Sequence, residues 1–286
     1  MSDRTAVIRE IAAKWLEEGI VEAVLGWEAG TYGDRTSPVI IRSVEESERL
    51  VFNERCTNNL ATYLLREPVR SMGSVAIVAK GCDVKSLIGL VQESQVPREK
   101  MKILAVTCEG VKDDQGRVPV KCAACDVNTP VYFDEIAGEK VESSPDNEAR
   151  MKRVAEIEAM SNEERYRFWR EQFDKCIRCY ACREACPLCI CARCIADKNQ
   201  PQWVDTSAHP RGNFSWNLVR AFHLAGRCVE CEACETACPA DIPLMLLNRV
   251  MAREVAEAFS YEAGRDPESD PPLRTFNLDD DNSFIL

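Results

Sequence analysis

Residues 175–194 read KCIRCYACREACPLCICARC, which places seven cysteines in twenty positions. The spacing tells more than the density. Cys176, Cys179 and Cys182 follow one another at intervals of three, then Cys186 arrives with Pro187 behind it. The pattern returns at 228–239 as CVECEACETACP, with Cys228, Cys231, Cys234, Cys238 and Pro239. Three thiols at that spacing on a short loop present their sulfurs to one face and wrap three irons of a cubane. The fourth points towards the other cluster, and the proline keeps the chain from continuing its turn. The two runs therefore predict two 4Fe-4S clusters with crossed ligands. One takes Cys176, Cys179, Cys182 and Cys238. The other takes Cys228, Cys231, Cys234 and Cys186. Zinc is the alternative, but structural zinc sites usually take their four ligands as two plus two, which these runs do not resemble.

The rest of the chain fits a reduced, soluble protein. Its 286 residues suggest one large or two small domains, and its 45% apolar content is ordinary. No apolar run is long enough for a membrane helix. MSDRTAVIREIAAKWLEEG patterns as an amphipathic helix, without the basic and continuously apolar segments of a signal peptide, so export is not expected and the cytoplasm is. Sixteen clustered cysteines in a reducing compartment point to metal rather than to disulfides. A net charge of −11 argues against a nucleic-acid surface.

Four regions are expected. Residues 1–140 alternate helix and strand patterns. A helix capped by Ser2 and broken by Gly19 leads into strands in IVEAVLGW and SPVIIRS, and helices are predicted in ESERLVFNE and TNNLATYLLRE. SVAIVAK is a buried strand, GCDVKSLIGLVQES a glycine turn into a helix, and KMKILAVTC another buried strand. The fold class is thus an α/β N-terminal domain with a mainly parallel sheet, plus a mostly helical dicluster ferredoxin domain. Residues 141–174 read as a helical linker, with a capping box at Ser161 and Glu164. Residues 175–264 hold the cysteine module, and residues 265–286 an irregular tail whose Phe276, Phe284, Ile285 and Leu286 suggest docking as readily as disorder.

The first region has its own cysteines. Cys82 sits at a strand-to-helix turn, Cys108 at a strand end, and Cys122 and Cys125 in KCAACDV. Strand ends of an α/β sheet converge on one edge, so four thiols gathered there suit one metal centre. A zinc ribbon or unpaired core cysteines fit the spacing equally well. Cys56 reads as a buried structural thiol. Cys189, Cys191 and Cys194 lie outside the paired pattern, as structural thiols or as ligands of a further cluster with a distant fourth such as Cys56. His209 and His223 read as structural or surface residues.

Two resemblances follow. The 175–264 region resembles the dicluster ferredoxin modules of heterodisulfide reductase, fumarate reductase and related electron-transfer subunits, with all eight ligands matched. LEEGIVEAVLGWE, VAIVAKGCDVKSLIGLV, CEGV and CAACDVNTPVYFDEIAGE resemble the beta subunits of coenzyme F420 (deazaflavin) hydrogenases and formate dehydrogenases. That family holds a 4Fe-4S cluster beside FAD, and the likeness carries a third cluster to Cys82, Cys108, Cys122 and Cys125, with Asp126 and residues 135–138 behind them. The region is shorter than in that family, and loops that would hold FAD are missing. No GxGxxG or P-loop is present.

The resemblance implies an iron–sulfur electron-transfer subunit of an anaerobe. It would relay electrons between a hydrogenase, a formate dehydrogenase or a heterodisulfide-reductase-like flavoprotein and another redox partner, in a hetero-oligomeric complex. The alternative is a flavin-dependent reductase with FAD in the N-terminal domain.

Overall fold

The computed structural model describes residues 3–32, 35–113, 115–205, 207–276, 278–279 and 283. Helix α1 (Arg4–Glu17) opens on Asp3, whose side chain accepts from the Thr5 amide at 3.0 Å. The predicted cap, Ser2, lies outside the described residues. Ile8, Ala12 and Trp15 form the buried stripe of α1, and Gly19 ends the turn at φ +65°.

The sheet has the order β2-β1-β3-β4-β5. Strands β1 (Ala23–Ala29) and β2 (Thr36–Ile41) are antiparallel, with Trp27 opposite Pro38. Strands β3 (Val75–Ala79), β4 (Met101–Val106) and β5 (Glu135–Ala137) run parallel to β1 and to one another. Every residue of β3 is buried, as its unbroken apolar run demands of a central strand. The sheet is thus mainly parallel, as expected.

Between β2 and β3 the two predicted helices are absent. ESERLVFNE forms only a 3-10 turn, Glu45–Arg49, and TNNLATYLLRE only another, Leu60–Leu65. Tertiary hydrogen bonds explain the second. The Asn59 side chain accepts from the Ala61 amide at 3.1 Å, the Leu60 amide donates to Asp83 at 2.8 Å, and the Lys80 ammonium takes the Asn58 carbonyl at 2.9 Å. Backbone groups engaged in this way are not free for an α-helical ladder.

Helix α2 (Gly81–Gln92) follows β3 directly and α3 (Val120–Ala123) carries Cys122. Helices α4 (Asn147–Glu158) and α5 (Asn162–Asp174) fill the linker region. The capping box is formed: the Ser161 amide donates to Glu164 at 2.9 Å and the Glu164 amide to Ser161 Oγ at 3.3 Å. The cysteine region contains α6 (Ala181–Glu184), α7 (Pro210–His223), α8 (Ala233–Thr236) and α9 (Leu244–Phe259).

The largest apolar core lies around the sheet and takes in Leu188 and Leu224 from the cysteine region. Leu188 needs Gly89, because a methyl group there would sit 2.9 Å from Leu188 Cδ1. Arg227 pairs with Glu93 at 2.7 Å across the same seam. The segment after α9 docks on α2: Gln92 Nε2 donates to the carbonyls of Asp266 (3.0 Å) and Ser269 (2.7 Å), and the buried Tyr261 hydroxyl donates to Gln92 Oε1 at 3.1 Å. Phe276, by contrast, is exposed, and Phe284, Ile285 and Leu286 lie outside the described residues. Among the described residues no helix is long and apolar enough to cross a membrane.

Candidate iron–sulfur centres

The two cysteine runs adopt one backbone twice. In the first, Arg178 and Tyr180 are left-handed, at φ 57° and 63°; in the second, Glu230 and Glu232 occupy the matching positions at φ 56° and 57°. These residues flank the middle cysteine of each run and turn the chain so that the three sulfurs face one side. A short helix, α6 or α8, then starts at the matching position.

Cys176, Cys179, Cys182 and Cys238 line one small cavity together with Trp216, Asn217, Ile242 and Leu244. Burial pushes the Cys182 thiol up, Arg220 opposes, and Cys176, Cys238 and Cys179 add to it. The fourth thiol of the second run thus stands with the first three of the first. On the other side, burial raises Cys228, with Cys234 and Cys231 adding to it. Cys234 is pushed up to about 12, by burial first, against Arg220 and with Cys231. Cys186 is within electrostatic reach of Cys234 and is hydrogen-bonded to Cys189.

The N-terminal four also gather. Gly81 lets α2 start against the 127 peptide, where a Cβ would lie 1.9 Å from the Val127 carbonyl oxygen. Cys82 is thereby carried at the first turn of α2. The Cys108 amide and carbonyl are both tied to Asn128, at 2.9 and 2.8 Å. The Gly110 amide approaches Cys108 Sγ at 3.4 Å, and the Val111 amide approaches Cys122 Sγ at the same distance. Such N–H···S bonds favour thiolate and are one of the means by which a protein tunes a cluster. Cys82, Cys108, Cys122 and Cys125 line a cavity of about 330 Å³, and Cys228 lines it too. Burial drives the Cys82 thiol well up and Cys108 up to about 11, with Lys80 opposing both.

Among the described residues no three Cys, His, Asp or Glu side chains are grouped to hold a single metal ion. A tetrahedral zinc about 2.3 Å from each sulfur would draw the sulfurs to roughly 3.8 Å of one another. The cavity of the N-terminal thiols, about 330 Å³, has room for a body larger than one ion, and an all-thiol donor set suits iron–sulfur chemistry.

Residues 175–243 match the family model described as a 4Fe-4S dicluster domain. They are a 4Fe-4S dicluster domain. Over 111 residues the chain is 34% identical to the F420-dependent formate dehydrogenase subunit beta of Methanocaldococcus jannaschii, covering 39% of this chain and 28% of that one. It is 22% identical to the F420-dependent formate dehydrogenase 1 subunit beta of Methanococcus maripaludis, covering 90% of each. The chain thus resembles these beta subunits, spanning little more than a quarter of the first and nine tenths of the second. The F420-reducing NiFe hydrogenase complex of Methanosarcina barkeri overlaps 38% of this chain and 39% of that one at 16% identity and a TM-score of 0.31, too low to speak for a shared fold.

The insert of the dicluster domain does not draw in Cys56. That thiol is fully buried in the sheet core, hydrogen-bonded near Asn53 and Val51. Cys189 lies against Cys186, whose hydrogen bond pulls its pKa to about 6 against burial, with Arg220 and Arg183 helping. Cys191 and Cys189 both act on Arg227, and Cys194 is buried beside Ala196 and Trp216. Half-buried His209 pairs with Asp205 at 2.7 Å.

Two basic residues escaped the sequence reading. Lys121 donates to the Cys231 carbonyl at 2.8 Å and acts on Cys82, Cys231 and Cys122, so it stands between the N-terminal set and the dicluster domain. Arg220 on α7 donates to the Cys182 carbonyl at 3.1 Å. A signal was present for it: Arg220 falls four residues after Trp216 on the buried stripe of α7, where an arginine is out of place. Lys80, like Arg220, is a buried cation. It pairs with Asp83 at 2.9 Å and stands 3.9 Å over the Trp27 ring.

Proposed function

We propose that the chain is an electron-relay subunit carrying three 4Fe-4S clusters in series. Cys82, Cys108, Cys122 and Cys125 would hold the first, Cys228, Cys231, Cys234 and Cys186 the second, and Cys176, Cys179, Cys182 and Cys238 the third. A bound cluster supplies reversible one-electron chemistry at a potential set by burial and hydrogen bonds to sulfur. The observation that carries the reading is the shared cavity wall: Cys228 of the dicluster domain lines the cavity of the N-terminal thiols. Centres in adjoining cages can exchange electrons without a diffusing carrier.

The residues themselves position and insulate. The left-handed turns aim the thiols, Leu188 and the sheet core close off water, and Lys121 ties the N-terminal loop to the Cys231 peptide. Likeness to F420-dependent formate dehydrogenase beta subunits supports a cytoplasmic complex with formate dehydrogenase, hydrogenase or heterodisulfide-reductase-like partners. The domain division 1–140, 141–174, 175–264 and 265–286 belongs to this reading.

A second reading, a flavin-dependent reductase, draws on one observation: the cavity runs past the thiols to Arg150, Arg253 and Tyr261. One experiment weighs both. Protein purified without oxygen should carry about twelve irons and as many acid-labile sulfides per chain, with no flavin, if three cubanes are present. About eight irons would overturn the N-terminal cluster, and stoichiometric flavin would favour the reductase.

A further inference from the structure

Helix α9 ends at Phe259, and Ser260, left-handed at φ 51°, redirects the chain onto the α/β half. The next three residues, Tyr261, Glu262 and Ala263, line the cavity of the N-terminal thiols. Gly264, at φ +73°, lies against the backbone of α2: a Cβ there would sit 2.3 Å from the Lys85 carbonyl oxygen. Arg265 Nη2 then donates to Asp126 at 2.5 Å, and Asp126 directly follows Cys125. Beyond it, Gln92 holds the carbonyls of Asp266 and Ser269. Residues 261–266 thus run from the cavity wall, across the helix that carries Cys82, to the neighbour of Cys125. A surface segment without such bonds opens locally at little cost, whereas this one is tied on both sides of its crossing.

We propose that residues 261–266 are a strap that closes the N-terminal thiol cage. The α/β half brings the four thiols together, and chain that follows the dicluster domain supplies one wall around them. A cover of this kind controls how water and solutes reach a metal centre. A segment that only stabilised α2 would leave access to the thiols unchanged. The occupant of the cage rests on the cluster reading proposed above. The strap itself rests on the contacts of residues 261–266.

The test compares wild type, Gly264→Val and Gln92→Leu, as full chains purified without oxygen. Valine at 264 meets the α2 backbone from a left-handed conformation, and leucine at 92 releases the two carbonyls beyond it. Each protein is treated with bathophenanthroline disulfonate, an iron(II) chelator. Iron release is followed by absorbance, and the three centres by electron paramagnetic resonance. The N-terminal centre should lose iron severalfold faster in both variants, with the two dicluster centres unchanged. Should Gly264→Val fail to load, Gln92→Leu carries the same comparison. An unchanged rate at the N-terminal centre, or equal acceleration at all three, would overturn the strap. Wild type with only about eight irons would instead overturn the cluster reading beneath it. Iodoacetamide labelling of Cys122 and Cys125 then decides the strap: faster labelling in Gly264→Val supports it, and equal rates overturn it.

Discussion

The two cysteine loops share a backbone and differ in everything around it. Around the first, Cys179 is exposed and Ile177 is 65% exposed, while Arg178 lies under Trp216 and reaches Asp197. Around the second, Cys231 and Cys234 are buried, and the left-handed positions carry Glu230 and Glu232, paired with Arg150 and Arg249. A cation stands in one loop where an anion stands in the other. The repeated motif sets how thiols are aimed, and the flanking residues set where the loop sits. The first loop opens to solvent, which suits the outlet of the proposed relay. The second is buried, with Cys228 packed against the sheet core, which suits an internal member of that relay.

The sharpest way to break this comparison is to exchange fourth ligands. Cys238→Ser should remove about four irons and the signal of the outer loop, and Cys186→Ser the same from the inner loop. The opposite pairing, seen by resonance spectroscopy of each variant, would show that each run feeds its own cluster. The next effect lies in the α/β half. Asp83 accepts from the amides of Lys80 and Leu60 and pairs with the Lys80 ammonium. Asp83→Ala leaves that ammonium buried without a counter-charge, and should cost about 3–5 kcal/mol, read as a lowered denaturation midpoint.

Gly81→Ala sharpens the contrast between the N-terminal thiols and the paired loops. Its methyl group meets backbone, so α2 must shift, at about 1–3 kcal/mol. The N-terminal centre should lose iron while both dicluster signals persist. The smallest effect concerns the C-terminal clasp. Burial, with Glu93 nearby, raises the Tyr261 hydroxyl to about 12. Its folded pKa is above its unfolded value of about 10, so its stabilising effect is complete below pH 10 and is lost as pH rises towards 12. Tyr261→Phe should cost about 1 kcal/mol at neutral pH and flatten that alkaline decline, measured by denaturation at several pH values.

Much of this was legible in the sequence because it is local. The cysteine spacing, the unbroken apolar run of β3, and the Ser161–Glu164 box each act within a few residues. The 3-10 turn at 60–65 was not legible, since Asp83 and Lys80, some twenty residues on, engage the backbone at Leu60 and Asn58. Lys121 stayed hidden for the same reason. A lone basic residue shows its meaning only when the thiols it faces have been brought in from elsewhere in the chain.

The cavity that joins Cys238 to Cys176, Cys179 and Cys182 also bears on timing during synthesis. A ribosome delivers the outer loop's three thiols long before their fourth. The inner loop's first-made thiol, Cys186, likewise waits for the second run to emerge. On the proposed ligand sets, neither cage closes until translation has passed the second run. The proposed ligand sets thus make cluster insertion a late event, on a chain whose α/β half has already been made.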